Sequence, residues 1–199
     1  MSAPLTRDLI ISGARDIIAS EGLDAVSLRR LAAALGVTAP ALYAHIRDKR
    51  DLLRGVAELE FAELISSFEA VTVTEPVARL HRLSRVYVER ALAEPELFRT
   101  MFLFPPELDL SATTGEELPL ATTSFRIALD AVSAAIAAGA LGDRDPLIAA
   151  LTLWTATHGV ADVLLLGFPF DDATRDLLID SVIDTVLTGL GAHLTVEVP

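Results

Sequence analysis

Residues 27–53 read SLRRLAAALGVTAPALYAHIRDKRDLL, and this stretch decides the fold of the N-terminal part of the chain. Ser27 is a good N-cap for a helix. Apolar residues then recur at intervals of three and four, which is a helical spacing: Leu28, Leu31, Ala32 and Leu35. Gly36 permits the left-handed backbone that ends a helix. Because Thr38 can cap a following helix and Pro40 fits its first turn, the stretch predicts two short helices joined by a tight glycine turn.

The second of these helices has an inward face and an outward face with different chemistry. Val37, Leu42 and Ile46 are expected to face inward. The outward residues are Ala39, Ala41, Tyr43, Ala44 and His45. A helix with small residues near its N-terminus can enter the major groove of DNA, and the basic residues that follow could bind phosphates: Arg47, Lys49 and Arg50. The pattern indicates a DNA-binding helix-turn-helix, and a plain helical hairpin with a basic, solvated end is the alternative.

The same residues resemble the DNA-binding domain of the TetR (Tet repressor) family. Its motif Leu-Ala-x-x-Leu-Gly-Val corresponds here to residues 31–37, and Leu-Tyr-x-His-x-x-x-Lys-x-x-Leu-Leu corresponds to residues 42–53. The resemblance implies that the DNA contacts are made by residues of both helices and of the segment that follows them. These are Arg29, Ala39, Pro40, Ala41, Tyr43, Ala44, His45 and Lys49. Thr38, just before the second helix, is added as a candidate phosphate contact from the chemistry of its hydroxyl.

Three of these expected contact positions are alanines, which limits how the protein can recognise a base sequence. Alanine offers only apolar contact, for example with a thymine methyl group. Tyr43, His45 and Thr38 are better suited to phosphates, which leaves Arg29 as the best candidate for bidentate contact with guanine. We therefore expect few direct base contacts, with DNA shape supplying part of the specificity.

Charge is distributed unevenly along the chain. The net charge is −12, from 16 basic and 28 acidic residues. Residues 1–56 hold eight basic and six acidic side chains, a balance of +2, and the remainder holds eight and twenty-two, a balance of −14. Because DNA affinity depends on neutralising phosphates, the acidic remainder is excluded as the nucleic-acid surface. The one lysine of the chain, Lys49, lies at the end of the DNA-binding motif.

Composition predicts a cytoplasmic protein with one large core or two small ones. The chain has 199 residues, is 52% hydrophobic and contains no cysteine, so it needs no disulfides and suits a reducing compartment. The N-terminus is charged and amphipathic, unlike a signal peptide. Residues 146–170 approach the length of a membrane span, but His158 and Asp162 interrupt them and no basic flank sets an orientation. We therefore expect no membrane segment.

The expected fold is all-α, with about nine helices. No segment alternates at the period of a strand, and glycine and proline divide the chain into helices. Three helices form an N-terminal helix-turn-helix head over residues 1–50, and six form an effector-binding and dimerisation body over residues 51–199. A helix at 48–70 connects the two domains, and a loop is expected from Leu108 to Pro119.

The body also resembles part of the TetR family. Residues 154–159 carry a Trp-x-x-x-His-Gly signature found in the C-terminal domain of one group of that family. The last two helices of TetR proteins form a four-helix dimer interface, and here both carry apolar stripes. The expected dimerisation residues are Val163, Leu164, Val182, Ile183, Val186, Leu187 and Leu190. A twofold dimer predicts a palindromic DNA operator.

Aromatic and sulfur-containing side chains are concentrated in the middle of the body. In the TetR family the corresponding helices enclose a cavity for a small effector, so the resemblance implies a largely apolar pocket with His158, Tyr87 or Thr155 as polar anchors. The expected ligand-binding residues are Tyr87, Phe98, Met101, Phe102, Phe125, Trp154 and His158. The alternative for each is ordinary core packing, because aromatic residues at helical spacing usually pack.

The sequence carries no catalytic or metal-binding motif that we recognise. It lacks a Gly-x-Ser-x-Gly elbow, a glycine-rich phosphate loop and a His-Glu-x-x-His motif. Its histidines show no paired spacing, so we expect no metal or other cofactor. The sequence predicts a dimeric, ligand-responsive DNA-binding regulator that is not an enzyme. The alternatives are a helical partner-binding protein without DNA binding and, less favoured, an enzyme.

Overall fold

The computed structural model describes residues 4–104 and 118–191. These residues form nine α-helices and one short 3-10 helix (Leu23–Ala25), and no strand occurs among them, which confirms the all-α prediction. The α-helices are α1 (Arg7–Glu21), α2 (Leu28–Ala34), α3 (Ala39–Leu42), α4 (Lys49–Glu69), α5 (Pro76–Ala93), α6 (Pro95–Met101), α7 (Pro119–Ala137), α8 (Pro146–Leu165) and α9 (Asp172–Gly189).

Several helices begin where a polar side chain accepts hydrogen bonds from the first free amides. The Ser27 hydroxyl accepts from the Arg30 amide at 3.2 Å, which starts α2 as its sequence predicts. At α8 the Asp145 carboxylate accepts from the Leu147 amide at 2.8 Å, and Pro146 occupies the first helical position. These local signals fix most helix starts without reference to the rest of the chain.

The chain folds into two compact units, and the first contains the described residues of Met1–Glu63 and Glu94–Thr122. In this unit α1 packs against α2 and α6. Gly55 of α4 approaches α1 so closely that a Cβ at this position would lie 2.5 Å from Cδ1 of Ile11. The core residues include Ile10, Ala14, Ile18, Leu31, Leu42, Leu52, Val56 and Leu97. Helix α6, which the sequence assigned to the body, therefore packs in the same unit as the helix-turn-helix.

The second compact unit contains the described residues of Leu64–Ala93 and Thr123–Pro199. Here α5 packs against α8 and α9, and α8 packs against α9. The buried side of α8 consists of Ala149, Ala150, Leu153, Thr157, Val160, Ala161 and Leu164. The Arg85 guanidinium of α5 donates to the carboxylates of Asp180 at 2.5 Å and Asp176 at 2.7 Å on α9. The helices of this unit are thus held by an apolar core and by charged contacts at its edge.

The second helix of the helix-turn-helix is shorter than the sequence suggested. α3 ends at Leu42, and residues 43–45 form a turn in which the amides of His45 and Ile46 both donate to the Leu42 carbonyl, at 2.9 and 3.0 Å. Tyr43, Ala44 and His45 therefore follow α3 rather than belong to it. The expected loop from Leu108 to Pro119 lies almost entirely outside the described residues, although Pro119 begins α7.

Two of the described helices, α7 and α8, are long and apolar enough to cross a membrane by length and composition alone. The same composition is typical of a helix in a protein core. α8 packs against two neighbouring helices and contains the ionisable residues His158 and Asp162. These features make α8 a core helix of the second unit.

Candidate functional site

The turn between α2 and α3 is fixed by its backbone. Gly36 has a φ of +66°, a conformation that side-chain-bearing residues rarely adopt, and the Val37 amide donates to the Ala32 carbonyl at 2.9 Å. On the inner side Leu42 is fully buried, together with Ile46. Packing of these apolar residues turns the opposite side of α3 and the segment after it towards solvent.

The structure leaves all nine predicted DNA-contact residues accessible. Seven are exposed: Arg29, Thr38, Pro40, Tyr43, Ala44, His45 and Lys49. Ala39 and Ala41 are half-buried. Thr38 occupies the N-cap position of α3, but its side chain makes no capping hydrogen bond, so its hydroxyl can bind a phosphate. Tyr43 is 57% exposed.

The basic residues around this surface differ in whether they already have partners. Arg30 forms an ion pair with Glu21, and the Arg50 guanidinium lies 5.4 Å from the centroid of the Phe104 ring. Within the described residues, Arg29 and Lys49 make no ion pair or side-chain hydrogen bond. These two cations therefore need not break a contact with another described residue before they bind an anionic ligand.

An ion pair between Arg7 and Asp51, which the sequence did not predict, lies beside the predicted DNA-contact residues. The Arg7 guanidinium donates to both carboxylate oxygens of Asp51, at 2.8 and 3.0 Å, and to the His45 carbonyl at 3.0 Å. Asp51 also accepts from the Arg47 amide at 2.8 Å. This Arg7–Asp51 clamp joins α1 and α4 to the turn that follows α3. It therefore holds the exposed residues 43–45 in place.

The Arg7–Asp51 clamp shifts the pKa of the Asp51 carboxyl group. Hydrogen bonds from the Arg7 guanidinium lower the pKa of Asp51 to about 2, against a lesser opposing effect of burial, with further help from the Arg47 amide. A second ion pair joins the same two helices, because the Arg15 Nε donates at 2.6 Å to Glu60, whose side chain is almost completely buried. α1 and α4 are thus connected by two charged contacts as well as by apolar packing.

Three of the predicted effector residues meet in the second unit through polar contacts. The Trp154 indole N–H donates to the Tyr87 hydroxyl at 3.3 Å, and that hydroxyl lies 2.7 Å from His158 Nδ1. Because an indole can only donate, the Tyr87 oxygen accepts from Trp154 and its O–H can donate to His158. His158 Nε2 then faces Asp162 at 3.5 Å. Burial raises the pKa of Tyr87, so its hydroxyl stays protonated.

A small apolar cavity borders this polar chain. Its volume is about 40 Å³, enough for a water molecule but far below the roughly 300–1,000 Å³ typical of ligand pockets. The lining residues include Phe68, Leu83, Tyr87, Val132, Leu153 and Trp154. Phe125 packs edge-on to Trp154, with ring centroids 6.3 Å apart. In this conformation these residues form a closely packed core.

The other predicted effector residues belong to the first unit. Phe98 and Met101 are buried on α6, and Phe102 follows them with its ring 6.0 Å from that of Phe61. Sequence reasoning missed Glu58 on the same unit. One of its carboxylate oxygens accepts from the Leu120 amide at 3.2 Å, the other is buried without a hydrogen-bond partner in the described structure, and burial raises its pKa. No sequence pattern identifies such a carboxylate, because its burial depends on packing.

The structure separates the predicted dimerisation residues into two groups. Leu164, Ile183, Leu187 and Leu190 are buried in the core of their own chain. A side chain already removed from water gains little further burial on association, so these four residues contribute mainly to the core of their own chain. Val163 is exposed, and Val182 and Val186 are half-buried. Only this second group remains available to a partner.

The described residues contain no cluster of three or more metal-ligating side chains. The imidazole of His81 instead lies 3.4 Å from Asp180 and 3.3 Å from Asp184 on α9. These contacts belong to the charged edge between α5 and α9.

Comparison with known families identifies the class of protein that these features define. Residues 10–56 match the family described as bacterial regulatory proteins, tetR family, and residues 80–186 match the family described as tetracyclin repressor-like, C-terminal domain. The second match alone covers more than half of the chain. The chain therefore belongs to the TetR family, and it is a DNA-binding transcriptional regulator.

Individual relatives are similar to this chain over almost its whole length, in sequence or in structure. An uncharacterised helix-turn-helix-type transcriptional regulator of Mycobacterium tuberculosis, Rv0681, is 25% identical over 97% of this chain and 85% of its own. A Rhodococcus protein of unknown function is 29% identical, with a TM-score of 0.78 over 94% of this chain and 96% of its own. A TetR variant from Acinetobacter baumannii, solved in complex with minocycline, is 18% identical, with a TM-score of 0.68 over 94% of this chain and 97% of its own.

Proposed function

We propose that the protein is a homodimeric repressor that binds a palindromic operator and is released from it by a small, largely apolar effector. The observation that carries the proposal is the surface formed by α3 and its flanks. There, the Arg7–Asp51 clamp binds the His45 carbonyl in the turn that carries the exposed Tyr43 and His45, and among the described residues Arg29 and Lys49 make no ion pair. A surface that is positioned by such contacts and carries these two unpaired cations suits a ligand with phosphates and base edges.

Within this proposal the basic residues have different roles. Arg29 contacts a guanine in the major groove, since a guanidinium can bind guanine O6 and N7 together. Lys49, at the first position of α4, contacts a phosphate. Thr38, Tyr43 and His45 bind the backbone, while Ala39, Pro40, Ala41 and Ala44 make close apolar contacts. DNA shape then supplies part of the specificity.

Dimerisation in this proposal uses the outer faces of α8 and α9. Val163, Val182 and Val186 are the predicted interface residues that are not buried in their own chain. A twofold interface presents two identical heads to the DNA, so the operator half-sites are inverted repeats. Repression rather than activation rests on the resemblance to tetracycline-repressor-like proteins. As a DNA-binding regulator, the protein acts in the cytoplasm.

Effector binding requires a conformation more open than the one described. The 40 Å³ cavity beside Tyr87 and Trp154 is too small for a drug-sized molecule, so an effector there must select a state with a larger cavity. Its differential affinity for that state would shift the dimer away from the head spacing that fits the operator. The minocycline complex of a protein with the same fold supports effector binding in general but names no effector for this chain.

The proposal is tested by selecting bound sequences from a pool of random DNA duplexes with the purified protein, and then repeating the selection with Arg29→Ala. The expected result is an enriched palindrome that loses information at one symmetric pair of positions in the variant. Arg30→Ala is a matched control, because Arg30 is paired with Glu21. If no sequence is enriched at moderate salt, the proposal is wrong.

A further inference from the structure

The outer surface of α8 and the segment after it expose large apolar side chains. Ile148 is 60% exposed, Leu166 74% and Phe168 53%. Five exposed positions of α8 and Leu166, which directly follows the helix, succeed one another at intervals of three and four, so they share one face: Ile148, Thr152, Thr155, Gly159, Val163 and Leu166. The carboxylate of Asp162 is also exposed, at the side of this face. The opposite face of the helix is the one buried against α5 and α9. A second apolar face on a helix that already has a core contact indicates an interaction surface.

Two features lie at opposite ends of this face. At the start of α8 is a shallow, mostly apolar groove of about 420 Å³, lined by Ile148, Leu151, Thr152, Thr155, Ala156 and Val186. Just beyond the end of α8, Phe168 and Phe170 stack on each other with ring centroids 5.6 Å apart. α8 has 20 residues, which corresponds to about 30 Å. The stacked aromatic pair therefore cannot reach the groove of its own chain.

A twofold axis brings these features together. In a twofold-symmetric dimer, if residue i of one copy contacts residue j of the other, then residue j of the first copy also contacts residue i of the second. If the two α8 helices cross antiparallel, the end of one lies beside the start of the other. Gly159 is equally far in sequence from Ile148 and Phe170, and a Cβ at Gly159 would meet no atom within 4 Å in the protomer. A crossing at Gly159 thus allows close backbone approach and places the aromatic pair at the partner's groove.

The exposed apolar area reaches the size at which a specific contact between two copies is expected. Taking about 200 Å² for a fully exposed large side chain, the exposed apolar residues of this surface amount to on the order of 500 Å² per protomer: Ile148, Val163, Leu166, Phe168 and Phe170. Two copies would bury on the order of 1,000 Å², which is the lower limit for a specific protein–protein interface.

We propose that Phe168 and Phe170 of each protomer insert into the groove at the start of α8 of a second copy, around a twofold axis at Gly159. This rests on the dimerisation in the proposed function and assigns the side chains that meet. The aromatic pair supplies the anchor residues of the interface, and the groove supplies their pocket.

The chain contains no cysteine, so an introduced pair tests the contact directly. Ile148→Cys with Phe170→Cys should give a disulfide-linked dimer under mild oxidation, because a disulfide needs Cα atoms within about 7 Å and the two sites of one chain are much farther apart. The matched control is Ile148→Cys with Leu177→Cys. Leu177 is as exposed as Leu166 but precedes Val186 by nine residues, about two and a half turns, so it lies on the opposite side of α9. The control should not cross-link.

Alanine substitution gives a second measurement that does not depend on disulfide geometry. Phe168→Ala with Phe170→Ala should raise the dimer dissociation constant about 100-fold in sedimentation experiments, while Leu177→Ala leaves it unchanged. A wild-type dimer that neither cross-links through the cysteine pair nor weakens on alanine substitution would overturn the aromatic contact while leaving dimerisation intact. A monomeric wild-type protein would overturn both this contact and the dimer of the proposed function.

Discussion

Replacing Asp51 with asparagine should destabilise the first compact unit by about 1–2 kcal/mol at pH 7. The ordinary carboxyl pKa of 3.8 falls to about 2 in the folded protein, mainly through hydrogen bonds from Arg7. At about 1.36 kcal/mol per pKa unit the shift corresponds to roughly 2.5 kcal/mol. The expected loss of about 1–2 kcal/mol is smaller than this value because solvent screens the ion pair, in which the Arg7 side chain is 42% exposed. Asparagine keeps the shape of the side chain but not its charge.

The pH dependence gives an independent signature of the same clamp. Because the folded-state pKa of Asp51 is depressed, its contribution to stability is complete above the unfolded pKa near 4 and is lost as the pH falls towards 2. Urea unfolding at pH 7 and across this acid range, for wild type and Asp51→Asn, measures both effects. Arg7→Ala and the double variant complete a cycle in which the coupling should be of similar size.

The clamp also has a functional consequence. Arg7→Ala removes the contact to the His45 carbonyl, so it should loosen residues 43–45. The folded Arg7→Ala protein should therefore bind its operator more weakly than the wild type. Unchanged unfolding free energy of Asp51→Asn at pH 7, together with an unchanged acid profile, would show that the Arg7–Asp51 clamp does not organise this surface.

Three further outcomes follow from particular contacts. In operator titrations Arg29→Ala should relax base preference, whereas Lys49→Ala should lower affinity for all sequences and reduce the salt slope by about one. Gly159→Leu should leave the fold unchanged in circular dichroism, since a side chain there meets open space, but weaken the dimer in sedimentation. Tyr87→Phe should cost about 1–3 kcal/mol in unfolding followed by fluorescence of Trp154, the only tryptophan, because it leaves the indole N–H and an imidazole nitrogen without the hydroxyl.

Local signals in the sequence were sufficient for the helices and the turn of the DNA-binding motif. Ser27 begins α2, Gly36 ends it and Asp145 with Pro146 begins α8, because caps and left-handed glycines act within one turn of chain. The length of α3 was harder to predict, since the turn after Leu42 is held partly by Arg7, which is distant in sequence.

The parts that sequence could not supply all depend on tertiary contacts. Apolar periodicity in α9 cannot distinguish Ile183, which packs in its own core, from Val182 and Val186 at the surface, because each lies on an apolar stripe. Arg7 and Asp51 are 44 residues apart and follow no motif. The placement of α6 with α1 likewise depends on which surfaces meet, and helical spacing carries no information about that.

We propose that a dimer of this chain recognises a symmetric DNA site, and the mass and affinity of its complex with the selected duplex test this claim. Native mass spectrometry together with anisotropy titration should show two protomers on one palindrome, with a large loss of affinity when one half-site is scrambled. One protomer per duplex, or equal affinity for intact and half-scrambled sites, would contradict the claim.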